Sequence, residues 1–207
     1  MKKFAWLFSF FLVFMANQVS AQSKFEFLPH YGFMYQVISI QPADEATRTA
    51  LNWSEDQPPQ ILYYPTLHLG GYMPFYHKND IFSVGLDAAF QGGINFRPTG
   101  LGYQIQVPVF LTARVGANAT SYNEQLLGIS AGVGAIPTYW NEPSLKAKNF
   151  VPIPSANIDV TFNNRGNKVI GRINFPIFPY KSKSFQYNGE KYPFQVSMIG
   201  LGLLYGF

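Results

Sequence analysis

A period of two, sustained over long stretches, constrains this chain more than any other feature. In "DIFSVGLDAAFQGGINFR" the even positions Phe82, Val84, Leu86, Ala88, Phe90, Gly92, Ile94 and Phe96 are apolar or small. The odd positions Ser83, Gly85, Asp87, Ala89, Gln91, Gly93, Asn95 and Arg97 are small, polar or charged. In "YQIQVPVFLTARV" Tyr103, Ile105, Val107, Val109, Leu111, Ala113 and Val115 share one face, and Gln104, Gln106, Thr112 and Arg114 the other. Successive side chains of a β-strand point to opposite faces, so this is strand patterning, and it outlasts the usual strand of about 5–6 residues.

Eight such segments follow one another, at about 25–40, 60–76, 81–97, 103–115, 126–139, 153–163, 169–178 and 192–207. Their connections alternate in character. "HKND" at 77–80, the segment 116–125 and "NRGNK" at 164–168 fall at one end; the longer 41–59, 140–152 and 179–191 fall at the other, with a short "PTGLG" among them. An even strand count brings both termini to the short-turn end, the layout of an outer-membrane barrel.

A soluble barrel alternates too, so the decision rests on what each face carries. The polar face holds mostly Gly, Ser, Thr, Asn and Gln, where a water-facing wall would be rich in Lys and Glu. The apolar face carries no formal charge in any segment, as lipid exposure requires: Lys or Arg at mid-bilayer costs ~2–4 kcal/mol. Aromatic residues gather toward segment ends, with Phe25, Phe27, Phe75, Phe82, Phe162, Tyr205 and Phe207 at one and Tyr35, Tyr63, Phe96, Tyr103, Tyr139 and Trp140 at the other. Two such rings match the girdles where amphipathic side chains meet headgroups. Because every backbone polar group must be paired within hydrocarbon, a spanning sheet has to close on itself. The expected fold is therefore an all-β, eight-stranded antiparallel transmembrane up-and-down β-barrel.

The segment before it has a different job. "MKK", an apolar run from Phe4 to Met15 and "VSA" before Gln22 form a secretory signal, too short for the ~20 apolar residues of a spanning helix. Residues 1–21 are expected to be cleaved, leaving the barrel at 22–207. The formal charge of +4 includes Lys2 and Lys3, so the mature chain carries +2, dispersed, which is no nucleic-acid footprint. Charged residues make up 13% of the chain, too few for disorder, and with no cysteine there is no disulfide, thiolate site or cysteine nucleophile.

An eight-stranded interior is just wide enough to be filled by its own side chains. The inward positions include Glu26, Asp87 and Asp159 against Arg97, Arg114 and Arg172, expected to form a charge-balanced plug with all but Arg97 in the periplasmic half; a proton or ion pathway is the sharper alternative. His30 and His68 also fall on the inward face, where a hydrogen-bonded interior role outweighs a catalytic one, and His77 sits in the "HKND" turn. No GxSxG, HExxH, P-loop or dinucleotide fingerprint occurs, and the histidines lack ligand-like spacing, so no enzyme activity, cofactor or metal is expected.

External loops on a rigid scaffold are the expected interaction surface. In "QPADEATRTALNWSEDQPPQ" the stretch Ala43 to Leu51 suits a short helix capped near Asp44. "NG" within "KSKSFQYNGEKY" marks a hairpin turn that pairs Tyr187 with Glu190, odd with even. Since Phe175, Ile177, Ile199 and Leu201 are all outward odd positions, one bulge must restore parity, expected at Pro176 or Pro179.

The leader, the eight amphipathic segments and the terminal "IGLGLLYGF" resemble a small OmpA-type or OmpX-type outer-membrane β-barrel. In detail, "LGGYMPFYHKNDIFSVGLDAAFQGGINF", "YQIQVPVFLTARVG" and "LGISAGVGA" resemble the largely uncharacterised outer-membrane β-barrel family of Bacteroidota. The resemblance implies an outer-membrane location with periplasmic termini, contact with outer-membrane lipid, and no catalytic residue to carry over. It departs from the larger OmpA proteins in that no peptidoglycan-binding domain is expected to follow. Ile199, Leu201, Leu203, Tyr205 and Phe207 resemble the terminal signal read by the outer-membrane insertion machinery. The expected role is structural or one of interaction, with an envelope protein as possible partner. A lipid-modifying enzyme with His68 or His30 as base is the alternative, and a narrow channel a lesser one.

Overall fold

The computed structural model describes residues 26–97 and 100–206. The leader at 1–21, Phe25 and Phe207 lie outside the described residues. The order is β1 (Leu28–Pro42), α1 (Glu45–Ala50), β2 (Gln60–Lys78), β3 (Phe82–Arg97), β4 (Gly100–Gln106), β5 (Val109–Gly116), β6 (Leu127–Glu142), β7 (Ala147–Asn164), β8 (Asn167–Pro176), β9 (Tyr180–Tyr187) and β10 (Glu190–Gly206), with a 3₁₀ turn at Pro143–Leu145. All pairings are antiparallel, and β1 pairs with β10 from His30↔Gly206 to Pro42↔Phe194, closing the sheet on itself.

Ten strands make eight staves. β4 and β5 pair with β3 and β6 in one unbroken register, divided only where Pro108 has no N–H to give the ladder. Its carbonyl still accepts from Ala89 N at 3.0 Å, and Val107 N donates to Pro137 O at 3.0 Å, so the stave holds across the break. β8 and β9 are likewise successive parts of one stave beside β10.

Side chains alternate as the sequence alternates. On β5, Val109, Leu111, Ala113 and Val115 are exposed and Phe110, Thr112, Arg114 and Gly116 are buried. The same outward apolar face runs round the ring through Phe33, Leu67, Phe90, Leu111, Ile129, Val160 and Leu201, each at least half exposed. A water-soluble protein rarely exposes an apolar patch of more than a few hundred Å². A continuous belt of this kind faces lipid, and the chain is a transmembrane β-barrel.

Beyond the belt the pattern turns over. On β10 the outward residues change from Tyr205, Leu203, Leu201 and Ile199 to Ser197 and Gln195, and on β1 from Val37 to Ser39 and Gln41. The two changes lie level, since Val37 pairs with Ile199 and Ser39 with Ser197. Above this line the inward residues are Ile38, Ile40, Phe194, Val196 and Met198, all buried. The strands thus continue out of the membrane as a water-facing extension with its own apolar core.

That core explains three departures from the sequence expectations. The stretch 140–152 is no loop: β6 runs to Glu142 and β7 begins at Ala147, because Trp140, Val151 and Ile153 bury inside the extension. For the same reason Trp140 belongs to the core and not to the outer aromatic girdle, which the ring pairs Tyr35–Tyr63 and Tyr103–Tyr139 represent, each 6.1 Å apart. The parity bulge, expected at Pro176 or Pro179, is at Pro193. Tyr192 pairs with Phe185 but Phe194 with Ser182, so Lys183 and Ser184 together oppose Pro193. Residues 177–179 do break the stave, yet Asn174↔Gly200 and Tyr180↔Val196 leave two extra residues there, which preserves parity. Pro193 cannot donate to β9, and its carbonyl accepts from Ala43 N at 3.0 Å.

Candidate functional site

The inward polar residues converge on Asp87. Its Oδ2 accepts from Arg114 Nη2 and from Arg172 Nη2, both at 2.7 Å, and its Oδ1 from Arg172 Nη1 at 3.2 Å. Arg172 turns its other edge to Asp159, with Nε to Oδ1 at 2.8 Å and Nη2 to Oδ2 at 2.7 Å, while Ser130 Oγ donates to Asp159 Oδ2 at 3.0 Å. All four charged groups are at most 1% exposed. Two carboxylates against two guanidiniums leave no net charge, which is what lets the group stay ionised out of water. The planar guanidinium fork suits a bridging role that a lysine could not fill.

A neutral chain leads away from this cluster. Gln36 Nε2 donates to Gln91 Oε1 at 2.9 Å, Gln91 Nε2 faces His68 Nδ1 at 2.8 Å, and His68 Nε2 faces His30 Nδ1 at 2.9 Å. If Gln91 donates, the tautomers follow in order: His68 carries its proton on Nε2 and gives it to His30 Nδ1, so His30 carries its own on Nε2. That nitrogen lies 3.3 Å from Asp87 Oδ1, in electrostatic reach but off the line of a hydrogen bond. The imidazoles stack at 4.9 Å because His30 pairs across the ladder with Gly70 and His68 with Gly32, and a Cβ on Gly70 would press on His30.

The mouth on the side of the chain termini is corked. The connection 117–126 folds inward, burying Ala117, Ala119 and Thr120. Ser83 Oγ donates to Ala119 O at 2.6 Å, Lys168 Nζ to Thr120 O at 3.1 Å and Asn123 Nδ2 to Asp80 O at 2.6 Å, and the Arg114 guanidinium stacks 3.7 Å over Tyr72. Glu26 accepts from Ser121 N here, so it joins the cork and not the Asp87 cluster. Its place before β1 puts it below the cluster. Arg97 closes β3 at the end opposite Asp87, and its side chain lies outside the described part.

The opposite mouth is closed by the apolar core. Trp53 packs edge-on against Tyr187 and Phe194, each at 6.3 Å, and Phe185 stacks on Phe194 at 4.9 Å. Leu145 and Trp140 complete the lid, and Tyr64 donates to Glu142 Oε2 at 2.7 Å beneath it. The connection carrying Trp53 is ordered by α1, whose cap Asp44 accepts from Thr47 N at 2.8 Å. Those hydrogen bonds from Thr47 hold the Asp44 carboxyl below its ordinary value.

No protein-family model matches the chain, and no curated protein matches it in sequence. Solved structures do. Ail, the attachment invasion locus protein of Yersinia pestis, matches with 10% identity over 88% of this chain and 99% of that one, at a TM-score of 0.46. OprG, an outer membrane protein of Pseudomonas aeruginosa, matches with 14% identity over 87% and 95%, at 0.47, and Neisserial surface protein A with 10% over 87% and 95%, at 0.42. The likeness is one of fold.

Of the six inward charges expected to form one plug, the structure brings four together: Asp87, Asp159, Arg114 and Arg172. The sequence did not link His30 and His68 to them, although all share the inward face. The missing signal was register: only the offset between β1, β2 and β3 shows that the imidazoles and Gln91 form one chain. His77 stands apart, half exposed, 3.8 Å from Asp80 Oδ1.

Proposed function

We propose that the chain is an outer-membrane protein with periplasmic termini, and that its role is structural or one of interaction: a closed barrel presenting an ordered external platform to another envelope component. The observation that carries this reading is the packing of the external connections. Trp53, Leu145, Phe185 and Phe194 are buried in the extension's core, so the segments above the membrane are held in place as a surface. The short turns lie on the side of the termini, as in barrels of this membrane. The alternation of Ile199, Leu201, Leu203 and Tyr205, with Phe207 to follow, supports uptake by the outer-membrane insertion machinery, and the apolar belt makes lipid a constant neighbour. A lipid-modifying role for His68 or His30 finds less support, since both imidazoles are sealed inside the wall, at 1% and 2% exposed.

The chain has no cysteine, so single-cysteine variants give clean cross-linking sites. A photoreactive maleimide on Glu55→Cys or Asn188→Cys, in native membranes, is expected to trap a discrete envelope component, and the same reagent on Asn79→Cys in the opposite turn is not. Adducts from Asn79→Cys alone, or none from either external position, would overturn the proposal.

A further inference from the structure

The external rim is divided by charge. Lys148 on β7, Lys181 and Lys183 on β9 and Lys191 on β10 are all exposed. Their strands are neighbours: β9 pairs with β10, and Asn149 of β7 exchanges two hydrogen bonds with Gln186 of β9, at 3.0 and 2.7 Å. The register turns the lysines outward, Lys191 beside Gln186 next to the inward Phe185–Tyr192 pair, Lys181 beside Gln195, and Lys148 beside Asn141. Of the described acidic residues at this end, only Glu190, beside Lys191, stands among them. Asp44, Glu45, Glu55 and Asp56 belong to the β1–β2 connection, Glu142 is buried, and Glu190 accepts from the Tyr192 hydroxyl at 2.6 Å. Among the described residues none of the four lysines makes an ion pair.

Their height is as telling as their sign. Phe150, Ile177 and Phe178 are more than half exposed on the lipid-facing wall of the same staves. Lys148 precedes Phe150 by two residues on the same outward face, a rise of ~7 Å, and Lys181 comes three residues after Phe178 with Lys183 two further on, whereas Lys191 stands eight residues beyond Ile199, ~26 Å along β10. A lysine stem at that height lies along apolar wall while its ammonium reaches the polar boundary. We infer that Lys148, Lys181 and Lys183 form a docking face for the phosphate groups of an anionic glycolipid in the outer leaflet. These three point sideways, above side chains that meet acyl chains, so the anion they meet is a headgroup. Phosphate recognition by separate ammonium groups needs no fixed fork, which suits three lysines on two strands.

This inference rests on the reading that the extension faces outward, and the test separates the two. Impermeant maleimide on intact cells should label Ser184→Cys; if it does not, the orientation is at fault. With labelling established, native mass spectrometry of the full protein extracted in mild detergent reads retention of added lipid A, with bis-dephosphorylated lipid A as comparison. The wild type should retain the phosphorylated form at least tenfold more than a variant with Lys148, Lys181 and Lys183 all changed to Gln. An Arg165→Gln variant, at the opposite end, should behave as wild type, and each protein should keep its heat-modifiable gel shift as the check of folding. Equal retention by the wild type and the triple variant, or equal retention of dephosphorylated lipid, would overturn the inference. So would displacement of no lipid but strong capture of inorganic polyphosphate, which would assign the face to a soluble anion.

Discussion

Asp87 receives hydrogen bonds from two arginines on different strands, so its loss would leave Arg114 without a carboxylate partner and Arg172 with Asp159 alone, and the buried cluster with an uncompensated positive charge. Removing one partner of a buried ion pair typically costs ~3–5 kcal/mol, much more than the pair itself contributes over a well-packed apolar replacement. Asp87→Asn is therefore expected to lower the stability of the barrel by about that amount in urea unfolding from lipid vesicles. Asp80→Asn, at a half-exposed position in the nearby turn, should stay within ~0.5 kcal/mol. Equal effects of the two would show that the cluster is not what holds the lumen. The residue types of this cluster could be read from alternation, because any charge between apolar neighbours on a lipid-facing strand must point inward. The cork contact of Glu26 could not, since it depends on how the connection 117–126 folds back, and that segment has no periodicity.

At the scale of elements, the deciding events occur where strands leave the lipid. The sequence marks the alternation but not the height at which its sense turns over, because an apolar residue pointing into the extension and one pointing into lipid look the same in a list. This is why 140–152 reads as a loop and Trp140 as a girdle residue, and why Pro176 and Pro179 read as the places for the parity bulge that Pro193 supplies. The helix α1 with its Asp44 cap was legible, since capping is a local matter. Its anchoring is not local: Trp53, with its indole N–H donating to Gln57 O at 3.2 Å, ties the connection to β9 and β10. Trp53→Ala should make the 43–59 connection cleavable by protease in the purified, detergent-solubilised protein while leaving the barrel heat-modifiable. Unchanged resistance would mean that α1 and the strand ends suffice to hold the connection.

At the scale of the molecule, three layers fill the barrel from end to end: the corked mouth, the charged and imidazole-containing middle, and the apolar core above the membrane. Such a lumen offers ions no continuous aqueous path, so the protein reconstituted in planar bilayers at neutral pH should give no single-channel steps. Regular steps would refute the sealed lumen and revive the narrow channel. What the sequence determined by itself is the sheet, its closure and its solvent, because period two and an uncharged outward face leave a lipid-exposed backbone no alternative to a closed barrel. The tertiary structure alone decided which inward residues meet, how far the strands outrun the bilayer and where the lysines stand relative to it. Those are matters of register between strands distant in sequence, and a shift of one residue between them would send every side chain to the other face.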